Sequence, residues 1–263
     1  MDNSLVYDDL FLSCKKTHNF YVFLSGAEQV GTSWCVLSIF HALNIDKKRT
    51  LIVDGNGNLS NISSYLHLSN PSYLETYFDG KKTLNQLVFA YKNKDFNLLA
   101  SNSGNKYLDN QAIGRIQIFA RDLQIISENY DFSAIDIGTS LSINNLSICQ
   151  TASDLIVVCS DNSADIVKTF DTIKFINELG LGHKTKLIIN KVNSFEDGYK
   201  IYEKLSKAAE RNGLKFPDLL GIIRLDARIR DAIKNKELLL TRYPQSEAAQ
   251  DIFDIAKKFN LGA

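Results

Sequence analysis

Along this chain, short runs of apolar, β-branched and aromatic residues alternate with longer stretches of helical periodicity, and no other feature narrows the fold as far. The runs NFYVFLSG (19–26), RTLIVDG (49–55), FNLLAS (96–101), FSAIDIG (132–138), DLIVVCS (154–160), TKLIINKV (185–192) and LLGIIRL (219–225) read as strands, with a weaker candidate, LLLTRY, at 238–243. Between them, Val36, Ile39, Phe40 and Leu43, and Ile166, Phe170, Ile173 and Ile176, recur at helical spacing. Strands that are apolar throughout are buried on both faces, and helices placed between them supply the cover. The expectation is an α/β fold with a single doubly wound, mainly parallel sheet of seven to eight strands and helices on both faces. The polar segment 56–95, rich in Asn, Ser and Tyr, reads as connecting structure within that fold.

In such sheets ligands bind beyond the carboxyl ends of the strands. Four of those ends carry chemically interesting residues: SGAEQVGTS at 25–33, DGNGNLSNI at 54–62, IDIGTSLS at 135–142 and INKV at 189–192. The first has the strand, glycine turn and helix of a phosphate-binding loop. Such a loop works through backbone N–H groups, a helix N-terminus and lysine cations around a polyanion, with glycines allowing close approach. No lysine stands within it.

The four stretches, in this order, resemble the MinD/ParA family of P-loop ATPases, and most of all its FlhG branch (also called FleN or YlxH), which controls flagellar number and position. The family's deviant Walker A loop reads SGKGGVGKST, a later strand ends in DADxGLAN and another in IDTGAG. The counterparts here are Ser25 to Trp34, Asp54 to Asn61 and Ile135 to Ser140. The segments LIINKVNSFEDGYKIYEKL and RYPQSEAAQDIFDIA are similar to the family's later strand and to the FlhG ending, and the similarity spans roughly residues 20–259. It implies a MinD-like P-loop domain over 19–263, after an extension at 1–18.

The departures fall where the family does its chemistry. Ala27 replaces the signature lysine that reaches the partner's phosphate in the ATP-bound dimer, and Thr32 replaces the lysine that holds the β- and γ-phosphates. Glu28 and Gln29 replace two loop glycines, and Asn56 replaces the aspartate that positions the attacking water. The remnants of a nucleotide site are Gly26, Gly31, Thr32, Ser33, Asp54, Asp136, Gly138 and Asn190. Among them Asp136 matches the Walker B aspartate and Asn190 the asparagine that recognises adenine; Ser33 and Asp136 would carry Mg²⁺ if it were retained. A charge-assisted contact to phosphate is worth about 1.5–3 kcal/mol. Losing two lysines therefore costs on the order of 10²-fold or more in affinity. The eroded positions Ala27, Thr32 and Asn56 leave no catalytic residue to expect, and no cofactor, with ATP and magnesium entering only through residual binding.

Composition excludes further classes. Thirty basic and thirty acidic residues cancel, so there is no electrostatic footprint for nucleic acid. The histidines His18, His41, His67 and His183 lack ligand spacing. The cysteines Cys14, Cys35, Cys149 and Cys159 lack CxxC spacing and read as reduced, mostly buried thiols. MDNSLVYDDLFLSCKK places acidic residues before a short apolar run, the reverse of a secretion signal. A cytoplasmic protein is expected, recruited to a cell pole on the resemblance. At the other end Ile252, Ile255, Ala256 and Phe259 share one face that reads as core-packed, so no membrane-targeting helix is evident.

The resemblance then implies a pseudo-ATPase that regulates or scaffolds by binding proteins of flagellar assembly or polar positioning, with a homodimer independent of nucleotide among its assemblies. Two alternatives stand beside it. One is a TadZ/CpaE-like polar protein of pili. The other is a nucleotide switch or weak ATPase with an unconventional phosphate contact from Lys47, Lys48 or Arg49.

Overall fold

The computed structural model describes residues 19–57, 61–68, 73–92, 95–102, 107–139, 141–142 and 145–261; the extension 1–18, with Cys14 and His18, and Ser140 lie outside them. Strands β1 (Phe20–Ser25), β2 (Thr50–Asp54), β3 (Phe89–Tyr91), β4 (Phe96–Leu99), β5 (Phe132–Asp136), β6 (Asp154–Ser160), β7 (Thr185–Val192) and β8 (Asp218–Arg224) form one sheet among these residues. Their order is β3-β4-β2-β5-β1-β6-β7-β8, parallel throughout except for β3 against β4.

Alternation along β1 shows why both faces need cover. Phe20, Val22 and Leu24 point into one apolar layer and Tyr21 and Phe23 into the other, all buried. The first layer is roofed by α5 (Ile113–Ser127), α6 (Leu146–Thr151), α7 (Ser163–Glu178) and α8 (Phe195–Arg211), with the short helices α3 (Glu75–Phe78) and α4 (Leu84–Leu87) beside them. The second is roofed by α1 (Thr32–Ile45), α9 (Ala227–Lys234), α10 (Leu239–Arg242) and α11 (Glu247–Leu261), with α2 (Ile62–Tyr65) at its margin. Tyr21 ties the ends of the chain together, with its ring 4.7 Å from Phe259 and 6.5 Å from Phe40. Ile252, Ile255, Ala256 and Phe259 are all buried, so that face of α11 serves the core.

Two elements differ from the sequence reading. Residues 238–243 are not a strand: Leu239–Arg242 make a helical turn whose leucines pack in the α1 layer. A three-leucine run has no period of its own, and burial against α1 decides its form. The short antiparallel edge strand β3 lies in the segment read as connecting structure; it is secured by Tyr91 stacking on Phe96 at 5.1 Å.

The connection from β1 leads through α1 to β2 on one side, while β6 pairs with β1 on the other. A crevice therefore opens beyond the carboxyl end of β1, where the chain's two directions diverge. In register across it stand Asp54 opposite Asp136 and Ser160 opposite Asn190.

Candidate functional site

The loop from Ser25 to Gly31 turns the chain from β1 into α1. It is held by Ser25 Oγ donating to the Ala27 carbonyl (3.0 Å) and by the Ser25 N–H donating to the Gly138 carbonyl (2.9 Å). Both retained glycines have local reasons. A Cβ on Gly26 would lie 2.4 Å from the Lys168 carbonyl of α7. Gly31 has φ 97°, and its Cβ would lie 2.5 Å from the Asn190 amide. Gln29 adopts φ 62°, a left-handed conformation that a glycine would adopt without strain.

A cavity of about 550 Å³ opens over this loop, within the range of small-molecule sites. Glu28, Thr32, Ser33, Asn56, Tyr65 and Lys191 are among the residues that line it. Ala27 and Thr32, at the two lysine positions, are 3% and 5% exposed, and Glu28 lies exposed on the rim. The Thr32 hydroxyl is buried without a hydrogen-bond partner.

On the metal side the groups satisfy one another. Ser33 Oγ donates to Asp136, the Gly138 N–H donates to the other oxygen of that carboxylate (2.9 Å), and Asn56 Nδ2 donates to Ser33 Oγ (3.2 Å). Asp136 is fully buried, and burial pushes its carboxyl up to about 6 against the opposing pull of those hydrogen bonds. Asp54, also fully buried, accepts from the Ser63 N–H (2.9 Å) and hydroxyl (2.6 Å), fastening α2 to the end of β2. Burial pushes it up to about 7, with the neighbouring Asp136 charge acting in the same direction. Among the described residues no group of three or more His, Cys, Asp or Glu side chains could hold a metal ion.

The base side is built into the scaffold. Asn190 donates to the Val30 carbonyl (2.8 Å) and accepts from the Lys191 N–H (3.0 Å), so its amide ties β7 to the loop. Arg224 turns away to α11, pairing with Asp251 (2.9 Å) and Glu247 (2.7 Å) beneath the Phe195 ring. Asp226 caps α9 through the Arg228 N–H (2.9 Å).

Sequence reasoning looked for a substitute cation at Lys47, Lys48 and Arg49. Those residues follow the far end of α1, whose fourteen residues span about 21 Å, and Arg49 pairs there with Asp131. Among the described residues the cation lining the cavity is Lys191, which donates to the Gln29 carbonyl. A survey of every basic residue at a strand's carboxyl end would have found it, since it directly follows Asn190 in β7.

Magnesium-bound ATP does not fit this cleft in the manner of the resembled loop. Neither loop lysine is present, Glu28 opposes a phosphate charge, and an amide N–H occupies the serine oxygen that would face the metal.

No protein-family model matches the chain. In sequence it is similar to the antiactivator FleN of Pseudomonas aeruginosa, 21% identical over 215 residues that cover 80% of this chain and 75% of FleN. In fold it is similar to the cell division ATPase MinD of Pyrococcus furiosus (TM-score 0.77, 16% identity, 94% of this chain and 100% of that one). It also matches a chain of the MinC:MinD cell division protein complex of Aquifex aeolicus (TM-score 0.76, 19% identity, 93% and 96%). The chain has the MinD-like P-loop fold, and its sequence relationship to FleN and the order of its cleft segments support the MinD/ParA family and its FlhG (FleN) branch.

Proposed function

We propose that this protein is a MinD/FlhG-like pseudo-ATPase that acts by binding other proteins, in flagellar assembly or polar positioning. The observation that supports this reading most is the cleft itself: the sheet, the turn and the helix N-terminus stand, while Ala27 and Thr32 occupy the lysine positions and Asn56 the water-positioning one. An amide cannot accept the proton of an attacking water as a carboxylate can. The partner class follows the relatives: FleN is an antiactivator, and MinD is seen in complex with MinC.

Hydrolysis is the direct test. Phosphate release from ATP with magnesium should stay at the no-enzyme background for the wild type and for Asp136→Ala alike. Turnover in the wild type that disappears in Asp136→Ala would overturn the reading.

A further inference from the structure

Away from the cleft, at the amino edge of the sheet, a groove of about 200 Å³ runs between the end of α1 and the second half of α11. Ala42 and Ile45 of α1 and Phe253 and Ala256 of α11 line it, together with the exposed Asp46 and Lys257. Ile45 is 48% exposed and Phe253 half-buried, so the groove presents apolar surface to water. Cations gather beside it. Lys47 and Lys48 directly follow Asp46 and outnumber its charge. Lys47 stands just past the end of α1 with φ 61°, a left-handed position that favours glycine and here carries an ammonium. Lys257 pairs with Asp254 on its own helix at 2.9 Å; both side chains are more than half exposed, a contact weak enough to be shared.

The chain enters β1 at the same edge. The Asn19 carbonyl accepts the Ser133 N–H (2.8 Å) on one side of β5, and the Arg49 carbonyl accepts the Asp131 N–H (2.9 Å) on the other. Asn19 and Arg49 thus lie two strand spacings apart, about 10 Å. α11 reaches over that entry, with Phe259 against Tyr21. Ahead of Asn19, the stretch MDNSLVYDDLFL (1–12) sets apolar residues around the pair Asp8 and Asp9, and contains neither Lys nor Arg. Its chemistry complements apolar walls beside lysines.

We propose that this extension occupies the α1–α11 groove of its own chain, with Leu10, Phe11 and Leu12 on the apolar walls and Asp8 and Asp9 toward Lys47 and Lys257. Leu12 precedes Asn19 by seven residues. Seven residues span up to about 23 Å, ample for a groove whose Ala256 stands one helical turn before Phe259. On so short a tether the segment is present at an effective concentration on the order of millimolar. A groove of modest affinity is then filled by its own chain ahead of a second copy or another protein.

Hydrogen exchange read on the full chain tests this. Amides of residues 5–12 should exchange at least about tenfold more slowly than in an unfolded chain, and high salt should reduce that protection. Ile45→Glu, at a half-exposed position, should abolish it while β1 and α1 stay protected, and Asp8→Lys with Asp9→Lys should do the same. Adding Lys47→Glu and Lys257→Glu to the latter pair should restore it, a rescue that an extension ordered without the groove would not show. The charge exchange carries the test if Ile45→Glu fails to fold. Carbodiimide coupling of an equal mixture of unlabelled and isotopically heavy chains identifies the source: links from Asp8 or Asp9 to Lys47 or Lys257 should join peptides of one isotope. Mixed-isotope links, the mark of a second copy in the groove, overturn the proposal. So does an absence of protection over residues 5–12, or protection that Ile45→Glu and the charge variants leave unchanged.

Discussion

Asp54 and Asp136 face each other across β2 and β5, fully buried, and burial raises both carboxyls, to about 7 and about 6. An acid whose pKa is raised on folding holds its proton more tightly in the native state, so the native state binds more protons between the unfolded and folded values. Stability then falls as pH rises through that window, from about 4 to about 7, and levels off above it. Every tenfold gain in proton affinity on folding corresponds to about 1.4 kcal/mol. Asp54→Asn keeps an oxygen for the two Ser63 donors and removes the charge, so it should flatten the decline. Urea unfolding at pH 5 and pH 8 checks this: the wild type should lose stability between the two, and Asp54→Asn should lose less. Equal losses would mean that Asp54 is ionised at little cost in the fold. At this scale the sequence pointed to Gly31, Thr32, Ser33 and Gly138, which line the cavity, because strand ends and glycine turns are local patterns, and it passed over Lys191. Hydrogen-bond roles were less legible. That Asn56 donates to Ser33, and that Lys191 meets Gln29, are consequences of packing between segments 23 and 162 residues apart.

Strands were readable as short apolar runs bounded by turn residues, as β1 is, and long helices by their own period, as in α7. The failures were short elements defined by a neighbour. α10 is a helical turn because three leucines are buried against α1, and β3 is a strand because β4 offers it an edge. α6 is a third case. Its six residues are too few to hold a helix by propensity alone. Its C-terminal carbonyls are collected by a residue from before β7: Lys184 Nζ donates to those of Cys149 (2.7 Å), Gln150 (2.9 Å) and Ala152 (2.8 Å). Removing the ammonium leaves those carbonyls to other partners. Lys184→Met keeps the aliphatic stem and should cost about 2 kcal/mol of unfolding free energy, with amide hydrogen exchange rising first in α6. A variant as stable as the wild type, with α6 equally protected, would show that water replaces the lysine without loss.

At the scale of the whole molecule, scaffold and cleft separate cleanly enough to predict what repair requires. The loop's surroundings are supplied by elements that do not depend on phosphate: α7 beneath Gly26, Asn190 beside Gly31, and β5 carrying Asp136. Thr32 lines the cavity, so a lysine there has space to enter, and Gln29→Gly relieves a left-handed residue. Trp34, one residue past the metal-facing serine, belongs to the core layer with α1 and does not line the cavity, so it can stay. The quadruple variant Ala27→Lys, Glu28→Gly, Gln29→Gly and Thr32→Lys should therefore fold and gain tight ATP binding. That binding should now depend on magnesium, because the added cations let a triphosphate sit deep enough to bring its metal against Ser33 and Asp136. Hydrolysis should remain absent until Asn56→Asp supplies the missing carboxylate and withdraws the amide N–H from Ser33. Calorimetry with and without magnesium, followed by phosphate release on the quintuple variant, separates the steps. A folded quadruple variant that still ignores magnesium would mean that the metal seat has closed through its surroundings and not through Asn56 and the loop alone.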